Sequence, residues 1–217
     1  MIKDLVLNLL FPPKCVLCGK LLEKDETDFC TACRVDSPTC DKNKLKIPFL
    51  DSWVAVWYYK GCIRESLHRF KFRKMRHYAD AYGKVLAMKI LREYPEGFDV
   101  LTWVPVSAMR RFARGYDQVE LIARAVGREL GMEPVAALKK TRNNRPQSRI
   151  AGQAQRKANV LGVYQIADSK QVAGKRILIL DDIITTGATA GECARVLRTA
   201  GAKQVHCGCV AAAHDGK

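Results

Sequence analysis

RILILDDIITTGATAGE, residues 176–192, decides how this chain is read. Four aliphatic residues, Ile177 to Leu180, run into two adjacent carboxylates, Asp181 and Asp182, and then into Thr, Gly and Ala. A continuous aliphatic run suits a strand covered on both faces, as in parallel sheets. Ligands of open α/β sheets sit beyond the carboxyl ends of the strands, and the two aspartates are expected at such an end. The small residues that follow open a helix, whose first amides are unpaired and lie at the positive end of its dipole. Thr185, Thr186, Gly187, Ala188 and Thr189 can then wrap a phosphate with amides and hydroxyls, Gly187 permitting close backbone approach. Carboxylates repel a phosphate, so the aspartates need another target, either the vicinal hydroxyls of a ribose or a magnesium ion. A ribose 5-phosphate suits both halves of the motif.

Two rivals compete for the same residues. The aliphatic run before Asp-Asp resembles the metal-binding strand of nucleotide triphosphatases, but the G-x-x-x-x-G-K-[ST] loop such proteins need is absent from the sequence. A purely structural turn cap leaves the pairing of two carboxylates with three threonines unexplained.

Outward from this stretch, strands and helices alternate. DVLTWVPV (99–106) reads as a strand ending at Pro105, and GYDQVELIARAVGRELG (115–131) as a helix. Val119, Ile122, Val126 and Leu130 share one face of that helix, Asp117 and Glu120 resemble a capping box, and Gly131 closes it. EPVAALKKT (133–141) reads as a further strand, a basic loop follows, and LGVYQI (161–166) returns from it. TAGECARVLRTAG (189–201) is a helix and QVHCGCVAA (204–212) a last strand. The alternation predicts an α/β fold, a doubly wound parallel sheet. Upstream, SWVAVWYYKG (52–61) is a strand candidate, and residues 62–94 read as largely helical.

With 37 Lys+Arg against 22 Asp+Glu, the formal net charge is +15, which points to an anionic partner. The excess is uneven. Pro134 to Ala167 contains no acidic residue but carries Lys139, Lys140, Arg142, Arg145, Arg149, Arg156 and Lys157, a candidate anion-binding loop or a solvated face. Phe70 to Arg76 interleaves rings with cations, as single-stranded nucleic acid requires. The competing reading puts Phe70 and Phe72 in the core of an amphipathic element. His68 and His77 show no ligand spacing and are expected at the surface or packed.

Cys15 and Cys18, then Cys30 and Cys33, form two C-x2-C pairs, the four thiolates of a tetrahedral structural zinc. A redox pair or unrelated thiols are the alternatives. Residues 1–48 are expected to be a zinc-finger-like domain and linker, with 34–48 as the linker. Residues 49–217 form the second domain and hold the aliphatic core. Cys40, Cys62, Cys193, Cys207 and Cys209 read as plain thiols. MIKDLVLNLLF (1–11) is too short and too interrupted for a secretion signal, and no apolar run approaches a membrane span. Cytoplasm is the expected compartment.

Leu178 to Thr189 resembles the phosphoribosyl-diphosphate (PRPP) loop of type I phosphoribosyltransferases. Together with FPPKCVLCG, VPVSAMRRFARGYDQVELIARAVG and RPQSRIAGQAQRKANVLGVY, nearly the whole chain resembles the ComF/GntX family, which adds a four-cysteine finger to that fold. It departs at Asp117, where that family usually has Asn, and it lacks a second knuckle around Cys40. The resemblance implies that Asp181 and Asp182 hold the ribose hydroxyls as the catalytic pair and that Thr185–Thr189 hold the 5-phosphate. It places pyrophosphate at the turn with Val106 and Ser107, with Arg110, Arg111 and Arg114 adding charge. Arg142 to Asn159 corresponds to a mobile lid, and magnesium accompanies PRPP.

In biological terms the resemblance implies natural competence, the handling of internalised single-stranded DNA, and other DNA-uptake proteins as partners. A metabolic phosphoribosyltransferase acting on a small nitrogenous acceptor is one alternative. A nucleic-acid-binding module with a regulatory PRPP site is another.

Overall fold

The computed structural model describes residues 12–41, 45–142 and 153–213. The first half runs α1 (Thr31–Asp36), β1 (Ser52–Tyr58), α2 (Gly61–Phe72), α3 (Tyr78–Glu93), β2 (Val100–Trp103), α4 (Ala108–Arg114) and α5 (Gln118–Leu130). The second half runs β3 (Leu138–Lys140), α6 (Gln153–Val160), β4 (Tyr164–Ile166), β5 (Arg176–Ile184), α7 (Ala188–Thr199) and β6 (Gln204–Ala212).

Four strands form a parallel sheet in the order β1-β6-β5-β2, with β5 and β6 in the middle. The strand period of two explains why β5 is aliphatic throughout. Leu178 and Leu180 enter the core shared with α3 and α5, among Leu86, Ile90, Ile122 and Val126. Ile177 and Ile179 enter the opposite core with Cys193, Ala194 and Leu197 of α7. All four β5 residues are fully buried. At about 1.5–3 kcal/mol per buried aliphatic side chain, this strand anchors both layers. On the first face α3 and α5 approach until an added Cβ at Gly83 would stand 2.3 Å from the Cβ of Ala125.

Several expectations change in the folded chain. The segment 133–141 is not a strand of the main sheet: only Leu138–Lys140 is extended, and it pairs antiparallel with β4 as a separate two-stranded sheet. The Asp-Asp pair does not follow its strand, because β5 continues through Asp181 and Asp182 to Ile184. The helical stretch 62–94 breaks into α2 and α3 at Arg73–His77, where Lys74 takes φ 57°.

The described residues among 34–48 pack on the second domain. Arg34 lies in α1, and Pro38 to Cys40 lie along the edge of β1, with Tyr58 N–H donating to Pro38 O at 2.7 Å and Cys40 N–H to Val56 O at 2.9 Å. An edge strand is thereby covered. Packing also crosses residue 48 in a second way. Cys15, Val16, Leu17 and Phe29 belong to the same core as Trp57, Phe70 and Tyr82, so that core is not confined to residues 49–217. Cys40, Cys207 and Cys209 are buried together in a smaller apolar cluster.

Candidate functional site

Strand alternation splits the two carboxylates. Asp182 turns toward α2 and α5, accepting from Lys71 Nζ at 2.9 Å and from Gln118 Nε2 at 3.1 Å. Asp181 turns toward α7 and the β3–β4 hairpin, where its charge is felt by Lys140, Tyr164 and Cys193. The backbone N–H of Asp182 donates to Asp181 Oδ1 at 2.8 Å. Burial, and then the neighbouring Asp182 charge, push the Asp181 carboxyl up to about 8 against the pull of Lys71. A ligand supplying hydroxyl donors or a cation relieves that penalty.

Beyond β5 the chain turns through Thr185 and Thr186 to Gly187, which caps α7 at φ 72°. Only glycine suits this position. Its backbone is left-handed, and an added Cβ would lie 2.5 Å from Ile47 Cγ1. Gly187 has no side chain to cap α7 and the first amide, Ala188 N–H, is met only by Thr186 Oγ1 at 3.5 Å, so the helix start lines the cleft together with the threonines.

The facing wall follows β2. Val104, Pro105 and Val106 reach Ser107, whose hydroxyl accepts from Arg110 N–H at 3.4 Å and starts α4. Asp117 ties this turn to α5. Its Oδ1 accepts from the amides of Val119 and Glu120 at the helix start, and its Oδ2 from Val106 N–H at 3.0 Å. A carboxylate with two acceptor oxygens can serve both elements at once.

Arg110 and Arg114 line the cleft, with burial and then the Arg114 charge lowering the pKa of Arg110. Arg111 turns outward, 3.6 Å from Glu120, and buried Ser107 is a helix cap rather than a cleft wall. Lys140, Tyr164 and Arg156 form the roof. Burial and then Arg110 bring Lys140 down to about 8, and burial pushes the Tyr164 hydroxyl well up. The cleft is about 1270 Å³ and opens to solvent.

Lys71, Gln118 and Tyr164 were not singled out as site residues from the sequence. Lys71 lies inside the ring-and-cation run, and Gln118 and Tyr164 lie inside the family-like stretches 104–127 and 145–164, where no role attaches to either of them. The run itself divides: Phe70 is fully buried, whereas Phe72, read as core, is 61% exposed with the Arg114 guanidinium 5.3 Å over its ring. Helical spacing explains the correction, since two positions along α2 rotate a side chain to the opposite face. Arg145 and Arg149 lie outside the described residues. Arg142 is exposed and donates to Leu161 O at 2.6 Å. His68 and His77 are exposed.

In the core layer shared with α2 and α3, Cys15, Cys18, Cys30 and Cys33 have their Sγ atoms all within 4.8 Å of one another, Cys18 and Cys30 at 3.6 Å. Tetrahedral zinc with bonds near 2.3 Å requires edges of ~3.8 Å, so the donor set fits a structural zinc. The first pair sits on a knuckle closed by Gly19 N–H to Cys15 O at 2.8 Å, and Cys33 sits on α1. Among the described residues this is the one such cluster. Among them, too, no helix is long and apolar enough to cross a membrane.

Residues 85–217 match the family model described as phosphoribosyl transferase domain, and residues 6–44 match the double zinc ribbon domain. The DNA utilization protein YhgH of Escherichia coli is 26% identical over 90% of this chain and 88% of its own length. Competence protein ComFC of Bacillus subtilis is 32% identical over 66% of this chain and 56% of its own. Among solved structures, an allosteric regulatory enzyme of purine biosynthesis aligns with 60% of this chain and 25% of its own, at 26% identity and a TM-score of 0.40.

Proposed function

The chain belongs to the phosphoribosyl transferase domain family, with a zinc ribbon ahead of that domain, and from this premise we propose that it binds PRPP with magnesium in the cleft and serves DNA uptake. The observation that carries the reading is the convergence on one cleft of a carboxylate pair, the threonine-flanked N-terminus of α7 and three cations, Arg110, Arg114 and Lys140.

Each group has a task that its chemistry suits. The 5-phosphate takes the amides and hydroxyls of Thr185–Thr189. The 2′- and 3′-hydroxyls donate to Asp181 and Asp182, replacing the water that burial has removed. The diphosphate lies toward Val106, Arg110 and Arg114. In ribosyl transfer the bond from C1 to the diphosphate oxygen breaks as a bond to the acceptor forms, and charge grows on the departing diphosphate. Arg110, Arg114 and Lys140 then stabilise that charge. Magnesium, when bound, supplies further counter-charge to the diphosphate.

The relatives' names, competence protein and DNA utilization protein, support a role with internalised single-stranded DNA. So do the net charge of +15 and the exposed Phe72 flanked by Arg73, Lys74 and Arg114 at the mouth of the cleft. The cytoplasm and other DNA-uptake proteins as partners belong to the same reading.

Calorimetry with millimolar PRPP and magnesium tests the binding claim; no heat and no thermal shift would end it. Pyrophosphate release, assayed across free bases and single-stranded oligonucleotides, then separates a transferase from a binding module. Release with a small base alone points to the metabolic enzyme, and release with none to a site that binds without transferring.

A further inference from the structure

Helix α2 touches both of the sites described above. At its knuckle side, Arg69 Nη2 donates to Val16 O at 3.1 Å and to Leu17 O at 2.6 Å. These are the two residues between Cys15 and Cys18. Ser66 also donates to Val16 O and shares a hydrogen bond with Tyr82. Two residues beyond Arg69, Lys71 reaches Asp182 at 2.9 Å with its side chain only 18% exposed. Between them Phe70 is fully buried, its ring 5.4 Å from that of Tyr82, and the Tyr116 hydroxyl donates to its carbonyl. The last turn of α2 therefore has the metal knuckle on one side and the carboxylate pair on the other.

We propose that the knuckle is a positioning element for the PRPP cleft, acting through Arg69 and Lys71, which are positioning residues for Asp182. The C-x2-C turn presents the carbonyls of Val16 and Leu17 in a fixed direction once its cysteines are gathered. Arg69 grips both carbonyls and sets the rotation and height of the last α2 turn. That turn carries Lys71, and a lysine with one well-placed acceptor orients the carboxylate it meets. Asp182 is also the acceptor for Gln118, so its rotamer is held from two directions only while Lys71 is in place. The zinc module thus contributes to ligand binding without touching the ligand. The inference rests on the PRPP reading for its affinity consequences, whereas its structural half does not.

The test uses the zinc-loaded full chain and a cycle of Arg69→Ala, Lys71→Ala and the double variant. Stripping zinc would also disturb the segment that leads to Ile47 beneath Gly187, so the cycle leaves the metal in place. Each variant is expected to retain about one zinc and to bind PRPP with magnesium about tenfold more weakly, the loss of one charge-assisted contact. The double variant should lose about tenfold, not a hundredfold, because both changes act on the same contact. Lys71→Arg should restore most of the affinity.

Hydrogen exchange without ligand supplies the second readout: Arg69→Ala should raise exchange at residues 181–187. If wild type binds no PRPP, the proposed function fails while exchange still decides the coupling. Wild-type affinity in Arg69→Ala, multiplying losses in the double variant, or unchanged exchange at 181–187 would each overturn the proposal. Should Arg69→Ala fail to fold, Arg69→Gln takes its place in the same cycle.

Discussion

The cysteine knuckle and the aspartate cleft both crowd anionic groups into a few ångströms, and they resolve the repulsion differently. The knuckle draws its four thiols from residues 15–33, a span in which local turns bring them within 4.8 Å of one another. It is closed, with its own Cys15 and Leu17 fully buried. The cleft draws its groups from α2, α4, α5, the β3–β4 hairpin and β5, and stays open over about 1270 Å³. A structural metal site gains by excluding everything but the ion, whereas a cleft open to a ligand must tolerate a carboxylate pair that Lys71 compensates only in part. Asp181 shows the cost: burial and its neighbour push its carboxyl up to about 8.

The largest effect is expected where the knuckle joins the main core. Cys18→Ser should lose the zinc and destabilise the whole chain by about 3 kcal/mol or more, since Val16, Leu17 and Phe29 pack with Phe70 and Tyr82. Elemental analysis and a thermal melt check this. A melt unchanged for the bulk of the chain would show that the two regions fold separately, as the division at residue 48 supposes.

Removing the carboxylates should do the reverse. Asp181→Ala with Asp182→Ala is expected to cut PRPP affinity by about a hundredfold, the loss of two charge-assisted contacts, while changing the melting temperature little, since relief of the Asp181–Asp182 repulsion offsets the lost Lys71–Asp182 pair. A large fall in stability would mean that the pair is structural and the contrast with the knuckle false.

Gly187→Ala lies between these cases. The left-handed φ of 72° and the 2.5 Å approach to Ile47 predict a loss of about 1–3 kcal/mol in stability, together with weaker PRPP binding. Denaturant unfolding and calorimetry measure the two parts.

A smaller effect concerns pH. The folded-state pKa of Asp181 lies above the ordinary carboxylate value, so between about pH 4 and 8 the native chain keeps a proton that the unfolded chain has lost. This group therefore lowers stability as pH rises through that window. Ligands that need the ionised carboxylate respond in the opposite sense, and affinity for PRPP with magnesium should climb from pH 6.5 to 8.5. Asp181→Asn should flatten the stability slope, and calorimetry across that pH range should show its affinity slope reduced.

The smallest effect is on nucleic acid. Replacing Arg142, Arg145 and Arg149 by Ala should weaken binding to a labelled single-stranded oligonucleotide and lower the salt slope by up to ~2. Equal affinity of wild type and variant at low salt would remove this loop from the DNA path.

Both motifs were legible because their chemistry is contiguous. Two C-x2-C pairs announce four ligands, and an aliphatic run ending in Asp-Asp before Thr-Thr-Gly announces a strand, a loop and a helix N-terminus. The α5 helix was readable from Val119, Ile122 and Val126, and Asp117 from its capping distance. Residues 133–141 misled because an apolar run of that length does not say which sheet it joins. Phe70 and Phe72 looked alike in the chain and parted only when α2 met the core.

The sequence alone thus located the four-cysteine cluster, the Thr-Thr-Gly loop after β5 and the α/β class, since each depends on residue type and short-range spacing. Tertiary structure alone decided that Asp117 would reach back to Val106, that Arg111 would turn away while Arg114 stayed, and that Lys71 would find Asp182. Those contacts join residues 9 or more apart, 111 in the case of Lys71 and Asp182, by the packing angles of helices on a sheet. The angles are set by how whole faces interdigitate. Local spacing along the chain holds no record of them.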